Sequence, residues 1–251
     1  MAFKLLGKKH KDRTEVWNQK TMFGPNMSFA VTEAYKLLRT NLMFSLSDEG
    51  RGHVIGITSA VQSEGKSSSA CNIAYALSEA GKKVLLLEGD LRRPSVSSKL
   101  GIARSPGLTN LLVSRWEYRE VIQHCAAAPK LDIIIAGDIP PNPSELLASN
   151  RMEQLMQELA LDYDYVVVDL PPVTVVTDAM AISKILDGIV IVVRGGVSDR
   201  RMLDEAMRLL KLVNVRVLGF VYRDSAANAG NYKKKYRYRY YSDYSKRKAT
   251  K

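Results

Sequence analysis

Apolar runs and amphipathic stretches alternate along most of this 251-residue chain. Strands buried on both faces are predicted by runs rich in Val, Ile and Leu at residues 53–60, 83–90, 131–138, 165–172, 188–194 and 215–222. Between these runs, apolar residues recur every three or four positions and predict helices at residues 67–80, 143–160, 178–187 and 198–214. Strands that alternate with helices are typical of an α/β fold, here a doubly wound, mostly parallel sheet flanked by helices.

The chain divides into three parts by composition. Residues 1–27 are basic and lack periodicity, and we expect a mobile segment there. A single domain is predicted over 28–226, and its first helix spans 28–45. Residues 227–251 form a basic segment rich in tyrosine, which has the composition of a disordered tail.

The positive charge is concentrated in this tail. The net charge of the chain is +11, and residues 232–251 hold nine Lys or Arg and one acid, which leaves only +3 for the other 231 residues. Such a distribution does not favour a domain that binds nucleic acid through a basic face. The tail also holds six of the 12 tyrosines, at Tyr232, Tyr236, Tyr238, Tyr240, Tyr241 and Tyr244.

A phosphate-binding loop is predicted between the strand at 53–60 and the helix at 67–80. The sequence AVQSEGKSS at 60–68 matches GxxxxGK[ST] except that Ala60 replaces the first glycine. Gly65 allows backbone N–H groups to surround phosphate oxygens, Lys66 reaches the terminal phosphates, and the Ser67 hydroxyl suits Mg²⁺. The residues of this segment that we predict to bind nucleotide are Ala60, Gln62, Ser63, Glu64, Gly65, Lys66, Ser67 and Ser68.

Acidic residues follow two other strands of the predicted sheet. Glu88 and Asp90 end one strand, and Asp169 ends another. Because parallel strands present their carboxyl ends at one edge, these acids should meet the phosphate loop there. Carboxylates near a nucleotide can hold Mg²⁺ and orient an attacking oxygen. We therefore expect a metal site at Ser67, Glu88, Asp90 and Asp169, and a catalytic set of Lys66, Glu88, Asp90 and Asp169.

Together these motifs resemble the bacterial tyrosine kinases of capsule and exopolysaccharide synthesis, from about residue 28 to the end of the chain. The resemblance rests on the phosphate loop, LLLEGDLRRP at 85–94, VVVDLPP at 166–172 and the terminal tyrosine cluster. The segment EAYKLLRTN at 33–41 is similar to the family's oligomerisation helix, with its motif at Glu33, Lys36, Arg39 and Asn41.

The resemblance implies a P-loop NTPase fold and an ATP- and Mg²⁺-dependent protein-tyrosine kinase. Its substrates would be the tail tyrosines of a neighbouring subunit in a homo-oligomeric ring, with an octamer as one candidate size. A transmembrane adaptor would activate the kinase, and a phosphotyrosine phosphatase would reverse the modification. The chain lacks an apolar run of the roughly 20 residues that span a bilayer. It resembles the separate cytoplasmic form of Gram-positive bacteria, recruited to the inner face of the plasma membrane.

Four positions depart from the family pattern. Glu88 stands where the family usually has Asp, Lys36 where it has Arg, and Leu170 where it has Thr. Arg223 lies near the position of an asparagine that helps to bind the base, and we include it among the predicted nucleotide-binding residues. These departures affect the expected rate and ring stability more than the expected binding of nucleotide.

Two other functions fit parts of the sequence. A MinD/ParA-like ATPase would have the same type of loop, but its second residue would be a lysine and here it is Val61. An ATP-gated scaffold without kinase activity could use the basic, aromatic tail to hold RNA or anionic lipid. Phosphotyrosine in the purified protein would separate the kinase from both.

Overall fold

A computed structural model describes residues 27–46, 50–114 and 116–223. The first 26 residues of the predicted N-terminal segment lie outside this part of the chain. So does the predicted tail at 227–251 with its six tyrosines.

The described residues form one seven-stranded sheet with the order β3-β4-β2-β5-β1-β6-β7. All neighbouring strands are parallel except β3, which runs antiparallel to β4. This confirms the predicted α/β fold with a doubly wound, mostly parallel sheet. The strands are β1 (His53–Ser59), β2 (Val84–Glu88), β3 (Gln123–His124), β4 (Leu131–Ile134), β5 (Tyr165–Asp169), β6 (Gly188–Arg194) and β7 (Val217–Arg223).

Helices cover both faces of the sheet. They are α1 (Phe29–Ser45), α2 (Lys66–Glu79), α3 (Val96–Leu100), α4 (Leu108–Val113), α5 (Tyr118–Val121), α6 (Pro143–Leu147), α7 (Asn150–Asp162), α8 (Asp178–Ala181) and α9 (Arg200–Leu212), with a 3₁₀ turn at Ser183–Ile185. One core layer packs α1 and α2 against the sheet, and the other packs α7 and α9 against its opposite face. The apolar strand runs are buried between these layers, as their composition predicts.

Three predicted helices differ from the observed ones. The helix expected over 178–187 is only α8 followed by the 3₁₀ turn at Ser183–Ile185. In the other two, a serine side chain makes hydrogen bonds that the helical pattern did not predict. The helix expected over 143–160 is divided into α6 and α7 at Ser149, whose hydroxyl donates to the Leu146 carbonyl and accepts from the Met152 N–H. The helix expected from Ser198 begins at Arg200 with Asp199 as its N-cap. The Ser198 hydroxyl instead contacts the phosphate loop, as described below.

Within the described ranges, no helix combines the length and the apolar composition needed to cross a bilayer.

Candidate active site

The segment between β1 and α2 has the backbone of a phosphate-binding loop. Ser63 and Gly65 both adopt left-handed conformations, with φ of 65° and 92°. Alternation of left-handed and right-handed residues turns successive N–H groups toward a common point and forms an anion-binding nest. Helix α2 begins at Lys66, so its first N–H groups have no acceptor within the helix and face the same point. The spacing of the sequence motif therefore corresponds to a loop suited to phosphate.

Two arginines from neighbouring strand ends hold this loop. Arg194, at the end of β6, donates from Nη1 to the Ser63 carbonyl over 2.9 Å. Arg223, at the end of β7, donates from Nη1 to the Gly65 carbonyl over 3.1 Å. The Arg223 guanidinium lies so close to Gly65 that a Cβ at residue 65 would be 1.4 Å from Nη1. Gly65 is thus required both for its positive φ and for this close approach.

The carboxylate of Glu64 stabilises the loop from inside. Glu64 is buried, and its Oε2 accepts the Val61 N–H over 2.8 Å. Its Oε1 accepts a hydrogen bond from the Ser198 hydroxyl, in the segment that precedes α9. The Ser198 hydroxyl also accepts the Arg194 N–H over 2.7 Å, so the loop and the β6–α9 connection form one hydrogen-bonded unit.

Lys66 lies between two of the predicted acids. Its Nζ is 2.6 Å from Asp90 Oδ2 and 3.6 Å from Asp169 Oδ1, and it donates weakly to the Ser67 hydroxyl over 3.4 Å. Burial lowers the pKa of Lys66, but attraction to Asp169 and Asp90 outweighs burial and the pKa is raised. Lys66 is therefore a firmly protonated cation at the carboxyl edge of the sheet.

Asp169 is fully buried, and neither of its carboxylate oxygens has a hydrogen-bond partner among the described residues. Burial raises the pKa of Asp169, while the charge of Lys66 acts in the opposite direction. A buried carboxylate whose oxygens make no hydrogen bond among the described residues, beside the Ser67 hydroxyl and Asp90, is a donor set suited to a hard cation such as Mg²⁺. In the described part of the chain no three His, Cys, Asp or Glu side chains form a metal site unaided.

Glu88 is buried in a different way. Its Oε1 accepts the N–H groups of Ser95 and Val96 over 2.5 and 2.6 Å, and its Oε2 accepts the Ala136 N–H over 3.0 Å. Burial raises the pKa of Glu88, although these backbone N–H groups act in the opposite direction. Both oxygens therefore hold the backbone after β2 and β4 in place. This geometry does not favour the metal-ligand and catalytic roles that the sequence predicted for Glu88.

The two arginines of the β2–α3 loop are also engaged. Arg92 donates from Nε and Nη2 to both carboxylate oxygens of the fully buried Asp178, over 2.9 and 3.1 Å. Ser144 donates to the same carboxylate over 2.5 Å. Arg93 donates from Nη1 to Gln62 Oε1 over 2.8 Å, which gives the phosphate loop a further contact from β2.

Of the predicted oligomerisation residues, Arg39 bonds to another helix of the described chain. Arg39 donates to the Ala76 carbonyl of α2 over 3.1 Å. Glu33 and Lys36 form a salt bridge with each other at the surface over 2.8 Å, and Asn41 is exposed. The outer side of α1 carries three exposed apolar residues at helical spacing, Phe29, Leu37 and Phe44.

Sequence reasoning missed the roles of Arg194, Ser198 and Asp178. Arg194 and Ser198 follow β6 at the same sheet edge as the phosphate loop, and that position could have indicated them. Nothing in the sequence indicates that Asp178 would be buried against Arg92, because the two lie 86 residues apart. The structure brings together Lys66, Asp90 and Asp169 as predicted.

The sequence of the chain matches a broad family model and proteins named as tyrosine kinases. The ParA family model, described as NUBPL iron-transfer P-loop NTPase, matches residues 51–249. The chain is 36% identical over 190 residues to the tyrosine-protein kinase YwqD of Bacillus subtilis strain 168, a match that covers 76% of this chain and 79% of YwqD. It is 33% identical over 191 residues to the putative tyrosine-protein kinase CapB of Staphylococcus aureus, covering 76% of this chain and 83% of CapB.

A solved structure has the same fold and a related sequence. The chimerical protein CapA2B2 superposes with a TM-score of 0.73 at 31% identity, covering 84% of this chain and 89% of CapA2B2. The ParA match shows the P-loop NTPase fold at the level of a broad family. YwqD and CapB, which match at 36% and 33% identity, are both named as tyrosine-protein kinases, one of them as putative.

Proposed function

The chain belongs to the bacterial tyrosine kinases of P-loop NTPase fold, and on this basis we propose that it transfers the γ-phosphoryl group of ATP to tyrosines of its own C-terminal cluster. The observation that carries the proposal is the meeting of Lys66, Asp90 and Asp169 beside a phosphate nest. In the cell this activity would regulate the synthesis and export of a capsular or extracellular polysaccharide.

Lys66 and the loop would bind the triphosphate. The nest at residues 63–67 and the α2 N-terminus attract phosphate oxygens, and Lys66 can exchange Asp90 for the β- and γ-phosphates. Ala60 is buried at the start of the loop, where its small side chain fits without a glycine. Arg223 and Arg194 would support the loop at Gly65 and Ser63 rather than contact the terminal phosphate.

The Asp169 carboxylate, which has no hydrogen-bond partner among the described residues, and the Ser67 hydroxyl would hold Mg²⁺, and Asp90 would contribute through water. When bound, Mg²⁺ neutralises charge on the phosphates during transfer. Coordination would also give the buried Asp169 oxygens the partners that they lack among the described residues. Glu88 would help to position these Mg²⁺-binding side chains, because it fixes the backbone that follows β2 and β4.

Asp90 is our candidate for accepting the proton of the substrate tyrosine. Its Oδ1 accepts the Arg93 N–H over 3.0 Å, which fixes the orientation of the carboxylate. Its Oδ2 is bonded to Lys66 and becomes free if Lys66 moves to the phosphates. A carboxylate released at the moment of nucleotide binding is well placed to accept a hydroxyl proton.

The experiment combines purified full-length protein with Mg-ATP and measures intact mass and phosphotyrosine. We expect several additions of about 80 Da, the mass of a phosphoryl group, on tail tyrosines. A Lys66→Ala variant should show none, whereas Lys211→Ala, at an exposed position on α9, should match the unchanged protein. Addition of the cytoplasmic segment of an adaptor should increase the rate. ATP hydrolysis without phosphotyrosine, even with the adaptor, would favour the ATPase interpretation instead.

We further propose that α1 contributes to a homo-oligomeric ring. Apolar side chains at Phe29, Leu37 and Phe44 are exposed on one side of the helix, next to the salt bridge of Glu33 and Lys36. A second copy that covers this side would remove apolar surface from water. Leu37→Asp should then shift the mass in solution toward the monomer. In this proposal a transmembrane adaptor recruits the cytoplasmic kinase to the membrane, and a phosphatase resets it.

A further inference from the structure

Six tyrosines lie in the described part of the chain, and they differ sharply in exposure. Five are no more than 9% exposed, whereas Tyr222 is 60% exposed. Two of the buried hydroxyls are bonded to acids, Tyr118 to Asp162 and Tyr163 to Asp132. The Tyr222 hydroxyl makes no hydrogen bond with any described residue. It is therefore the tyrosine of the folded domain that another protein can reach.

Tyr222 has the local sequence of the predicted substrates. It is followed by Arg223, just as Tyr236 and Tyr238 in the tail are each followed by arginine. A kinase site that accepts a tyrosine followed by arginine in the tail can accept the same pair here. This similarity is in the sequence, and the exposure of Tyr222 is an independent structural observation.

Tyr222 also lies at an accessible edge. Strand β7 is the last strand of the described sheet and pairs only with β6. Tyr222 is the penultimate residue of β7, so only Arg223 separates it from the strand end. The final residues of an edge strand have one hydrogen-bonded neighbour and separate from the sheet more easily than a central strand.

We propose that Tyr222 is an additional autophosphorylation site in the kinase domain, distinct from the tail cluster. The proposal rests on the kinase function proposed above. The transfer breaks the bond between the γ-phosphorus and the bridging oxygen of ATP and forms a bond from that phosphorus to Tyr222 Oη. ADP leaves, and the phenolic proton passes to the carboxylate of Asp90, the proposed proton acceptor.

The kinase that modifies Tyr222 is a second copy of the chain. Side chains of adjacent strand residues point to opposite faces, and Arg223 points to the phosphate loop of its own chain. Val221 packs in the core layer on the α2 side, so Phe220 and Tyr222 face the α9 side of the sheet. Tyr222 is thus directed away from its own loop, and transfer occurs between molecules.

A single peptide can report the modification. Trypsin cleaves after Arg216 and Arg223, so the peptide of residues 217–223 contains Tyr222 as its one tyrosine. An isotopically labelled Lys66→Ala copy, which cannot act as the enzyme, is mixed with unlabelled, unaltered kinase and Mg-ATP. We expect phosphate on the labelled 217–223 peptide and on labelled tail peptides. The labelled peptide of residues 152–184, which contains the buried Tyr163 and Tyr165, should stay unmodified and controls for unfolding.

The outcomes separate the two proposals. Phosphate on the tail but not on residues 217–223 overturns the assignment of Tyr222 and leaves the proposed kinase function intact. Phosphate on neither peptide overturns both. Phosphate on residues 152–184 as well as on 217–223 shows that unfolding exposes tyrosines indiscriminately, and it also overturns the assignment.

Discussion

Lys66 Nζ lies 2.6 Å from Asp90 Oδ2 and 3.6 Å from Asp169 Oδ1, so one partly buried cation faces two buried carboxylates. The cation can form a close pair with only one acid, and in this structure that acid is Asp90. Asp169 has no hydrogen-bond partner among the described residues. The group thus has one more negative charge than positive charge, which costs stability in a nucleotide-free protein and provides a place for a divalent cation.

Asp169→Asn should stabilise the nucleotide-free protein. It should also abolish the extra thermal stability that Mg²⁺ gives to the protein with ADP. Asparagine has nearly the same shape without the charge, and Lys66 and Asp90 then form a balanced pair. We expect the free energy of unfolding to rise, because the variant removes the excess buried negative charge. Urea unfolding measures this gain, and thermal melts with ADP should show no further gain on adding Mg²⁺ to the variant. A variant less stable than the unchanged protein would contradict this account.

The buried Asp169 carboxylate predicts that the stability of the nucleotide-free protein depends on pH. Because burial raises the pKa of Asp169 above its ordinary value, the folded state binds more protons than the unfolded state between the two values. Stability contributed by this group is therefore present at low pH and is lost as the pH rises through the raised pKa. The stability advantage of Asp169→Asn should grow as the pH increases from about 4 to about 7 in nucleotide-free protein. A constant difference across that range would show that Asp169 does not titrate as inferred.

Glu88→Gln should lower the stability of the protein more than it lowers the rate of phosphate transfer. The two carboxylate oxygens accept three backbone N–H groups, from Ser95, Val96 and Ala136, whereas an amide has one acceptor oxygen. We expect a loss of roughly 1–3 kcal/mol in the free energy of unfolding. The rate of phosphate transfer per folded molecule should largely persist, and Glu158→Gln at an exposed position provides the control. Unchanged stability with abolished transfer would instead support the catalytic role that the sequence predicted for Glu88.

The sequence predicted the sheet and the phosphate loop because both depend on local patterns. Runs of Val, Ile and Leu mark buried strands, and the spacing from Ala60 to Ser67 is read directly along the chain. The convergence of Lys66, Asp90 and Asp169 followed from parallel strands that present their ends at one edge.

The remaining features depend on contacts between distant segments. The role of Glu88 is decided by backbone groups after other elements, among them the Ala136 N–H that lies 48 residues later. Ser198 has the sequence of a helix cap, but it bonds to Glu64, 134 residues earlier, and Asp199 caps α9 instead. A motif does not specify whether Glu64 turns outward or into its own loop. These differences arise from tertiary hydrogen bonds, which residue spacing does not encode.

Ser198→Ala should weaken nucleotide binding without unfolding the protein. The Ser198 hydroxyl bonds to Glu64 Oε1 and accepts the Arg194 N–H, so its loss releases the phosphate loop on one side. One hydrogen bond to a charged group corresponds to about 1.5 kcal/mol, and we expect the Kd for Mg-ADP to rise about tenfold. Calorimetric titration measures the change. Ser183→Ala removes a hydroxyl that bonds only locally, to the Met180 carbonyl, and should leave the Kd unaltered.

Arg92→Met should destabilise the fold through Asp178, although Arg92 lies two residues from Asp90. Asp178 is fully buried, and Arg92 bonds to both of its carboxylate oxygens. Removal of the guanidinium leaves the Asp178 charge buried without its counterion. Among the described residues, Ser144 is then the side chain that still donates to it. Because Arg92 is partly exposed and solvent weakens the pair, we expect a loss of roughly 1–3 kcal/mol in the free energy of unfolding. Arg93→Met, which loses only a surface contact, should change stability by less than about 0.5 kcal/mol.

Adding Asp178→Asn to Arg92→Met should recover much of the loss, because the amide can remain buried without a counterion. A double variant as unstable as the single one would show that Arg92 acts through its packing rather than through the charge of Asp178.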